Sequence, residues 1–168
     1  MLDPITGDAP NLGANDGARL IPLADTPFRD FRPSLQLAAE LFCSARAIAA
    51  EGPWDQPLLW LDQRASTATL PAPASVTLDD GGFHLMRQGQ AFALLRYPRF
   101  RFRPSQADAL HLDLWVSGQN LLRDAGTYSY ASAEGAWFAG TAAHNTVEFD
   151  ERDQMPRLGR FLFGAWLK

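Results

Sequence analysis

Ala107-Asp108-Ala109-Leu110-His111-Leu112-Asp113-Leu114-Trp115-Val116-Ser117-Gly118-Gln119-Asn120-Leu121-Leu122-Arg123-Asp124-Ala125-Gly126-Thr127-Tyr128-Ser129-Tyr130 is the stretch from which the fold is read. From Leu110 to Val116 residue character alternates, the period of a strand whose two faces see different surroundings. Ser117-Gly118-Gln119 supplies a tight turn, and Asn120 to Arg123 forms the returning strand. The alternation groups Leu110, Leu112 and Leu114 on one face and His111 and Asp113 on the other. The leucines are therefore expected inward and the His–Asp pair toward solvent.

The pattern continues on both sides. Phe83, Leu85 and Arg87 alternate with His84, Met86 and Gln88, and Gly89-Gln90 turns the chain into a strand from Ala91 to Tyr97. His84 is expected to be an ordinary strand residue. Residues 144–150 and 160–167 read as further strands. The apolar run at the end reads as a strand inside a larger sheet, so the chain is expected to be truncated. Ahead of the sheet lies helical sequence. Pro33 suits a first turn, and Leu35, Ala38, Ala39, Phe42, Ala45 and Ala49 recur at helical spacing, which predicts a helix over 33–50 that Gly52-Pro53 stops. Cys43, the only cysteine, is expected in its core. A second short helix is expected over 54–62. Residues 65–76, rich in small residues and proline, read as a linker, and residues 1–32 as an ordered loop. Helices followed by strands predict an α+β fold with its modules in sequence.

Composition narrows the function classes. A net charge of -4 argues against a nucleic-acid binder, and no apolar run is long enough to span a membrane. One cysteine permits neither an internal disulfide nor a cysteine-based metal site. Asn15-Asp16-Gly17 lacks the acidic spacing of a calcium loop. Basic residues do cluster: Arg96, Arg99, Arg101 and Arg103 interleave with Tyr97, Phe100 and Phe102. On a strand, Arg99, Arg101 and Arg103 would share one face, either solvated or meeting a polyanion such as an acidic sugar chain.

The Asp124-Ala125-Gly126-Thr127-Tyr128 end of the hairpin, followed by His144-Asn145-Thr146-Val147, resembles the heparinase II/III-like polysaccharide lyases. The likeness is most specific over 107–150, and Pro10-Asn11-Leu12-Gly13-Ala14-Asn15-Asp16-Gly17 with its following helix is similar to the end of that family's α/α-toroid. The resemblance implies three parts: 1–64 as the helical tail of the toroid, 65–76 as linker, and 77–168 as an incomplete antiparallel β-sandwich. It implies a lyase cleaving uronic-acid glycans of heparin, hyaluronan or alginate type by β-elimination, in the periplasm or cell envelope of a bacterium. It also implies that the rest of a parent chain, toroid and remaining β-strands, supplies missing active-site groups, so that the fragment alone is inactive.

For such a lyase Tyr130 and His144 are the candidate acid–base groups, and Tyr128, from the Tyr128–Tyr130 pair that would share a strand face, and Arg101 and Arg103, from the basic run, are the candidates to meet the sugar. Carried over residue by residue, the resemblance makes Asp124 and His144 zinc ligands. The chain departs from the family's His-x-His-x-Asp run, which reads here Pro104-Ser105-Gln106-Ala107-Asp108. Pro104 cannot carry a proton, and Gln106 is a poorer zinc ligand than the imidazole expected there. From the residues alone, His144 is equally a histidine bonded to a neighbouring loop, Asp124 a turn former, and one of Tyr128 and Tyr130 a core residue. Asn145 is expected to fix a turn or a backbone group. Those departures motivate an alternative, a non-catalytic carbohydrate-binding or surface-polysaccharide assembly protein on the same scaffold. A third view, an unrelated β module with a chance motif, requires Asp124 and His144 to lie well beyond ~8 Å apart, since two ligands of one zinc each sit ~2 Å from it.

Overall fold

The computed structural model describes residues 1–13, 21–97, 99 and 101–167. The expectations for Asn15-Asp16-Gly17, and for the parts of the basic run at Pro98 and Phe100, lie outside them. The described residues form two compact units. Residues 2–9 and 21–73 make one; Met1, 10–13, 74–97, 99 and 101–167 make the other.

In the helical unit, α1 (Arg32–Cys43) carries Pro33 in its first turn and buries Gln36, Ala39 and Glu40 at spacings of three and four. The helix stops at Cys43 rather than at residue 50. Ser44 turns left-handed (φ 50), and the Gln36 amide takes over the backbone beyond it. Its Oε1 accepts the N–H groups of Ala47 and Ile48, both at 3.0 Å, and its Nε2 donates to Asp55. Arg46 donates to both Asp55 oxygens at 2.9 Å. A side chain that satisfies two main-chain donors removes the reason to continue the helix. Cys43 sits at the exposed end of α1 beside the exposed Phe42, not in a core. The second expected helix is a tight turn, Pro53–Asp55, running into α2 (Gln56–Trp60), which buries Leu58. Beyond it the backbone of Arg46 bonds Ala68 and Leu70, and Glu40 accepts the N–H and hydroxyl of Ser66.

The other unit is an antiparallel meander in chain order: β1 (Val76–Leu78), β2 (Phe83–Gln88), β3 (Ala91–Arg96), β4 (Leu112–Val116) and β5 (Gln119–Leu122). With the helical segment ahead of the sheet, the fold is α+β. Leu85 faces Leu94 and Phe92 faces Trp115, and these four side chains form the buried cluster of the sheet. Phe92 and Trp115 stack with ring centroids 5.8 Å apart. That pair decides the pleat of β4. Once Trp115 points inward, period two carries Asp113 and His111 inward with it. The expectation from the leucines is therefore inverted: His111 and Asp113 are buried, Leu112 and Leu114 are half-buried, and Leu110 is exposed. The aromatic face outweighs the aliphatic one because a Trp–Phe pair hides more apolar surface than leucines in the same rows.

After β5 the chain forms α3 (Glu134–Phe138), a tight turn Thr141–Ala143, and a hairpin of β6 (Arg157–Gly159) and β7 (Leu162–Phe163). A second buried cluster joins Ala107, Ala139, Met155 and Phe163. Residues 144–150 are not a strand. The Gln154 amide bonds the Ala109 carbonyl, the Thr146 hydroxyl and the Val147 carbonyl, so side chains hold this segment where ladder partners would. Of 160–167 only Leu162–Phe163 pairs, because Arg160-Phe161 is consumed by the turn between β6 and β7. The basic run after β3 is irregular at its described residues, so Arg99, Arg101 and Arg103 do not share a strand face.

Phe92→Ala opens a cavity against Trp115 and is expected to destabilise the chain by about 3–5 kcal/mol in urea unfolding. Leu112→Ala, on the half-buried face, is expected to cost clearly less.

Candidate metal centre

His144 closes the turn Thr141–Ala143, its own N–H bonded to the Thr141 carbonyl. That turn is pinned from three sides. Thr141 Oγ1 donates to the Ala107 carbonyl, Thr141 N–H donates to Asp153 Oδ1, and Ala107 N–H donates to the Ala139 carbonyl. Asp124 leaves β5 into a turn in which its Oδ1 accepts the Gly126 N–H at 2.7 Å, and Gly126 takes a φ of +80 that suits glycine. Asn11 donates to the Asp124 carbonyl and Asn145 to the Arg123 carbonyl, which fixes the backbone on both sides. The Asn145 bond is the backbone contact expected from sequence.

These constraints bring Asp124 Oδ2 to 3.5 Å from His144 Nε2, with both side chains sealed from solvent. Asp108 is the third member: donor atoms of Asp108, Asp124 and His144 all lie within 4.8 Å of one another. Arg96, the last residue of β3, pairs with Asp108 Oδ2 and leaves Oδ1 buried without a partner. Behind them His111 sits edge-on to His144, ring centroids 5.5 Å apart. Its Nδ1 accepts the Asn145 N–H, and its Nε2 lies 3.9 Å from Asp113 Oδ2, while Asp113 Oδ1 accepts the Trp115 indole N–H.

Burial pushes Asp108 up, and Arg96 offsets this only in part, so its pKa stays raised. Burial also works on Asp124, but His144 and the Gly126 N–H outweigh it and hold the carboxyl low. For His144 burial opposes the charged ring; Asp124, the Gly140 carbonyl and Asp108 together overcome it and raise the pKa.

The residues fit a metal ion. His144 Nδ1 donates to the Gly140 carbonyl at 2.7 Å, which in the neutral ring leaves Nε2 a bare lone pair, and Nε2 has no hydrogen-bond partner. Two ligands of one tetrahedral zinc, each ~2 Å from it, lie about 3.3 Å apart, close to the 3.5 Å between Nε2 and Oδ2. A cation here would relieve the burial penalty on Asp108. The ligand set that the geometry presents is Asp108, Asp124 and His144. Gln106 is buried with its Oε1 unpartnered, and it lines a neighbouring cavity.

The other sequence candidates are spread out. Tyr130 lies in the wall of that cavity, edge-on to Phe161. Tyr128 is exposed, adopts a φ of +61 and stacks on Phe138, so the two tyrosines do not alternate along a strand. Arg101 is exposed and pairs with Asp80 at 3.2 Å, and Arg103 is exposed. Pro104 is buried and its carbonyl accepts the Phe163 N–H. The sequence did not single out Asp108 or Arg96 for this site. The signal for Asp108 was its place as the acid of the motif run.

A family model described as heparinase II/III-like, C-terminal, matches residues 70–168, well over half of the chain. The chain belongs to the heparinase II/III-like C-terminal family. Among solved structures it is similar to heparan sulfate lyase HepC from Pedobacter heparinus, at 21% identity over 89% of this chain and 22% of that one, with a TM-score of 0.55. It is similar to a heparinase III gene product at 22% identity, covering 78% of this chain and 21% of that one, TM-score 0.54. A further heparinase III matches at 16% identity over 89% and 25% of the two chains, TM-score 0.53. These likenesses show a common fold, that of the heparinase β-sandwich region. The chain spans about a fifth to a quarter of the length of these lyases. No curated protein matches it. Family membership and the 3.5 Å contact together dispose of the chance-motif view. No described helix is long and apolar enough to cross a membrane.

In the metal-free chain the two shifts set a stability window. Asp124, held low, contributes stability that is present above an unfolded pKa of ~3.9 and lost as pH falls through its depressed value. His144, held high, contributes stability that is full below ~6.5 and lost as pH rises through its raised value. Asp108, raised, pushes the same way as His144. Urea midpoints are expected to peak between these limits, and Asp124→Asn to flatten both flanks.

Proposed function

We propose that the chain supplies the β-sandwich part of a polysaccharide lyase that cleaves uronic-acid glycans by β-elimination. The observation that carries this is the sealed meeting of Asp124 with His144 inside a heparinase II/III-like domain. β-Elimination needs the uronate carboxylate neutralised, a base for the C5 proton and an acid for the leaving oxygen. Tyr130, half-buried at a cavity wall, is the proton-transfer group we assign on this chain. His144 has no exposed side-chain surface, so we give it a ligand and positioning role in place of contact with sugar.

Asp108, Asp124 and His144 would hold a divalent metal, zinc first. When bound, it supplies fixed positive charge that ties the 105–108 segment to the 123–126 and 141–144 turns. The Arg101–Asp80 pair is exposed, hence weak and salt-screened, and leaves Arg101 available with Arg103 and Tyr128 to meet an acidic chain. The remaining catalytic groups we place in the toroid and further strands of a longer parent, located in a bacterial periplasm or cell envelope. The greater length of the solved lyases supports this.

Pro104 favours a second reading. It holds the sheet through its carbonyl and has no proton to give, which suits a carbohydrate-binding protein on the same scaffold.

The parent protein is expected to release unsaturated uronate from a heparin-, hyaluronan- or alginate-type polymer, followed by ultraviolet absorbance. Tyr130→Phe is expected to lower kcat by roughly 100-fold or more. Glycan binding with no product on any of these polymers would establish the second reading instead. Zinc binding by the chain is expected to release a proton, and to weaken as pH falls below the raised pKa of His144, about tenfold per unit. Calorimetry in two buffers of different ionisation enthalpy reads this, and Asp108→Asn is expected to weaken binding.

A further inference from the structure

Between residues 105–106, 127–136 and 157–161 lies a cavity of about 270 Å³, just below the ~300–1,000 Å³ range of drug-sized ligand pockets and so scaled to a single small unit. We propose that it is a subsite for one acidic pyranose unit, with the Arg160 guanidinium selecting the acid. This rests on the polysaccharide reading above and adds to it a location, a size and a selecting group.

The lining is that of a sugar pocket. Ser105, Thr127 and Ser129 bring hydroxyls, and Tyr130 brings a phenol and an aromatic ring held edge-on by Phe161 at 4.9 Å. Such groups match the alternating hydroxyls and apolar C–H patches of a pyranose. The wall is closely built. A Cβ on Gly135 would stand 2.6 Å from the Ser129 carbonyl oxygen, so glycine lets α3 approach that segment.

The charge on the lining is of one sign. Arg157 and Arg160 both contribute to it, and no aspartate or glutamate does. Arg157 donates to the carbonyls of Gly159, Ala136 and Arg160. These partners are neutral, so they brace the wall without pairing the guanidinium with an acid; the carboxylate next to the lining, Glu134, is held low by its own N–H and the Ser132 hydroxyl instead. Arg160 makes no side-chain hydrogen bond or ion pair among the described residues, and it is exposed at the turn between β6 and β7. Two guanidinium groups without a carboxylate partner favour an anion, and a guanidinium binds a carboxylate or a sulfate through paired N–H donors. A neutral sugar would satisfy the hydroxyls and leave the positive charge unanswered, so the acid is the discriminating feature.

The test is a titration of the isotope-labelled chain, followed by NMR, with glucuronic acid, glucosamine 6-sulfate and glucose. At least one acidic sugar is expected to shift Ser129, Tyr130 and Arg160, and glucose to bind at least about tenfold more weakly. A response to glucuronic acid alone identifies a uronate; a response to the sulfate alone identifies a sulfated unit. Arg160→Ala is expected to weaken the acidic sugar about tenfold without changing the response to glucose, and Arg160→Lys to restore part of the loss. Unchanged backbone spectra of both variants away from the turn exclude misfolding. Glucose binding as well as the acids, no effect of Arg160→Ala, or shifts confined to Arg101 and Arg103 would overturn the proposal. Acid binding here with no turnover by the parent would defeat the lyase reading alone. Turnover by the parent with kcat and KM unaltered in Arg160→Ala would defeat the cavity assignment alone.

Discussion

Three carboxylates, two imidazoles and one guanidinium are buried or half-buried together in the sheet-bearing unit, and balancing their charge is the constraint the site is built around. An uncompensated buried charge costs several kcal/mol, so each acid needs an answer. Arg96 answers Asp108, the Trp115 indole and His111 sit against Asp113, and His144 faces Asp124. The balance is incomplete: Asp108 keeps a raised pKa and one bare oxygen, and His144 Nε2 has no hydrogen bond. A small divalent cation is the group whose chemistry meets both deficits at once.

The rest of the unit serves to hold those groups still. The turn bearing His144 is clamped by Thr141, Asp153 and the irregular segment at Ala107, and the turn bearing Asp124 by Gly126, Asn11 and Asn145. Gln154 does for residues 109 and 146–147 what a neighbouring strand would do. Irregular backbone here is held by side-chain amides and hydroxyls. The positions of Asp124 and His144 are thereby fixed without regular strands at 144–150, and the segment does not need the sheet ladder to be held in place.

The neighbouring cavity is organised differently. His144 is withdrawn from solvent, while Tyr130, Arg157 and Arg160 gather round a cavity beside Gln106. The cavity and the cluster of Asp108, Asp124 and His144 are thus two neighbouring places in one unit. The replacement of two expected histidines by Pro104 and Gln106 falls on the segment between them. There Pro104 bonds β7 through its carbonyl, and Gln106 joins the cavity wall.

The alternation in 83–97 and 110–123 determined the hairpins, because period two and turn residues act locally. The Asp124 and His144 motif pair was legible through its resemblance to the family. What only the tertiary structure decided was direction and company. Leu112 and Leu114 looked like the core face of β4, until the Phe92–Trp115 stack, made across two strands, turned His111 and Asp113 inward. The helix over 33–50 was cut short by Gln36 reaching the backbone at Ala47 and Ile48, a contact invisible to helical periodicity. Asp108 entered the site, and Arg96 with it, because β3 and the 104–108 segment meet in space although separated along the chain. Local sequence sets which elements form. Which face is buried, and which charges must share that burial, is fixed by long-range packing, where the largest apolar pair and the unpaired ions outweigh local preference.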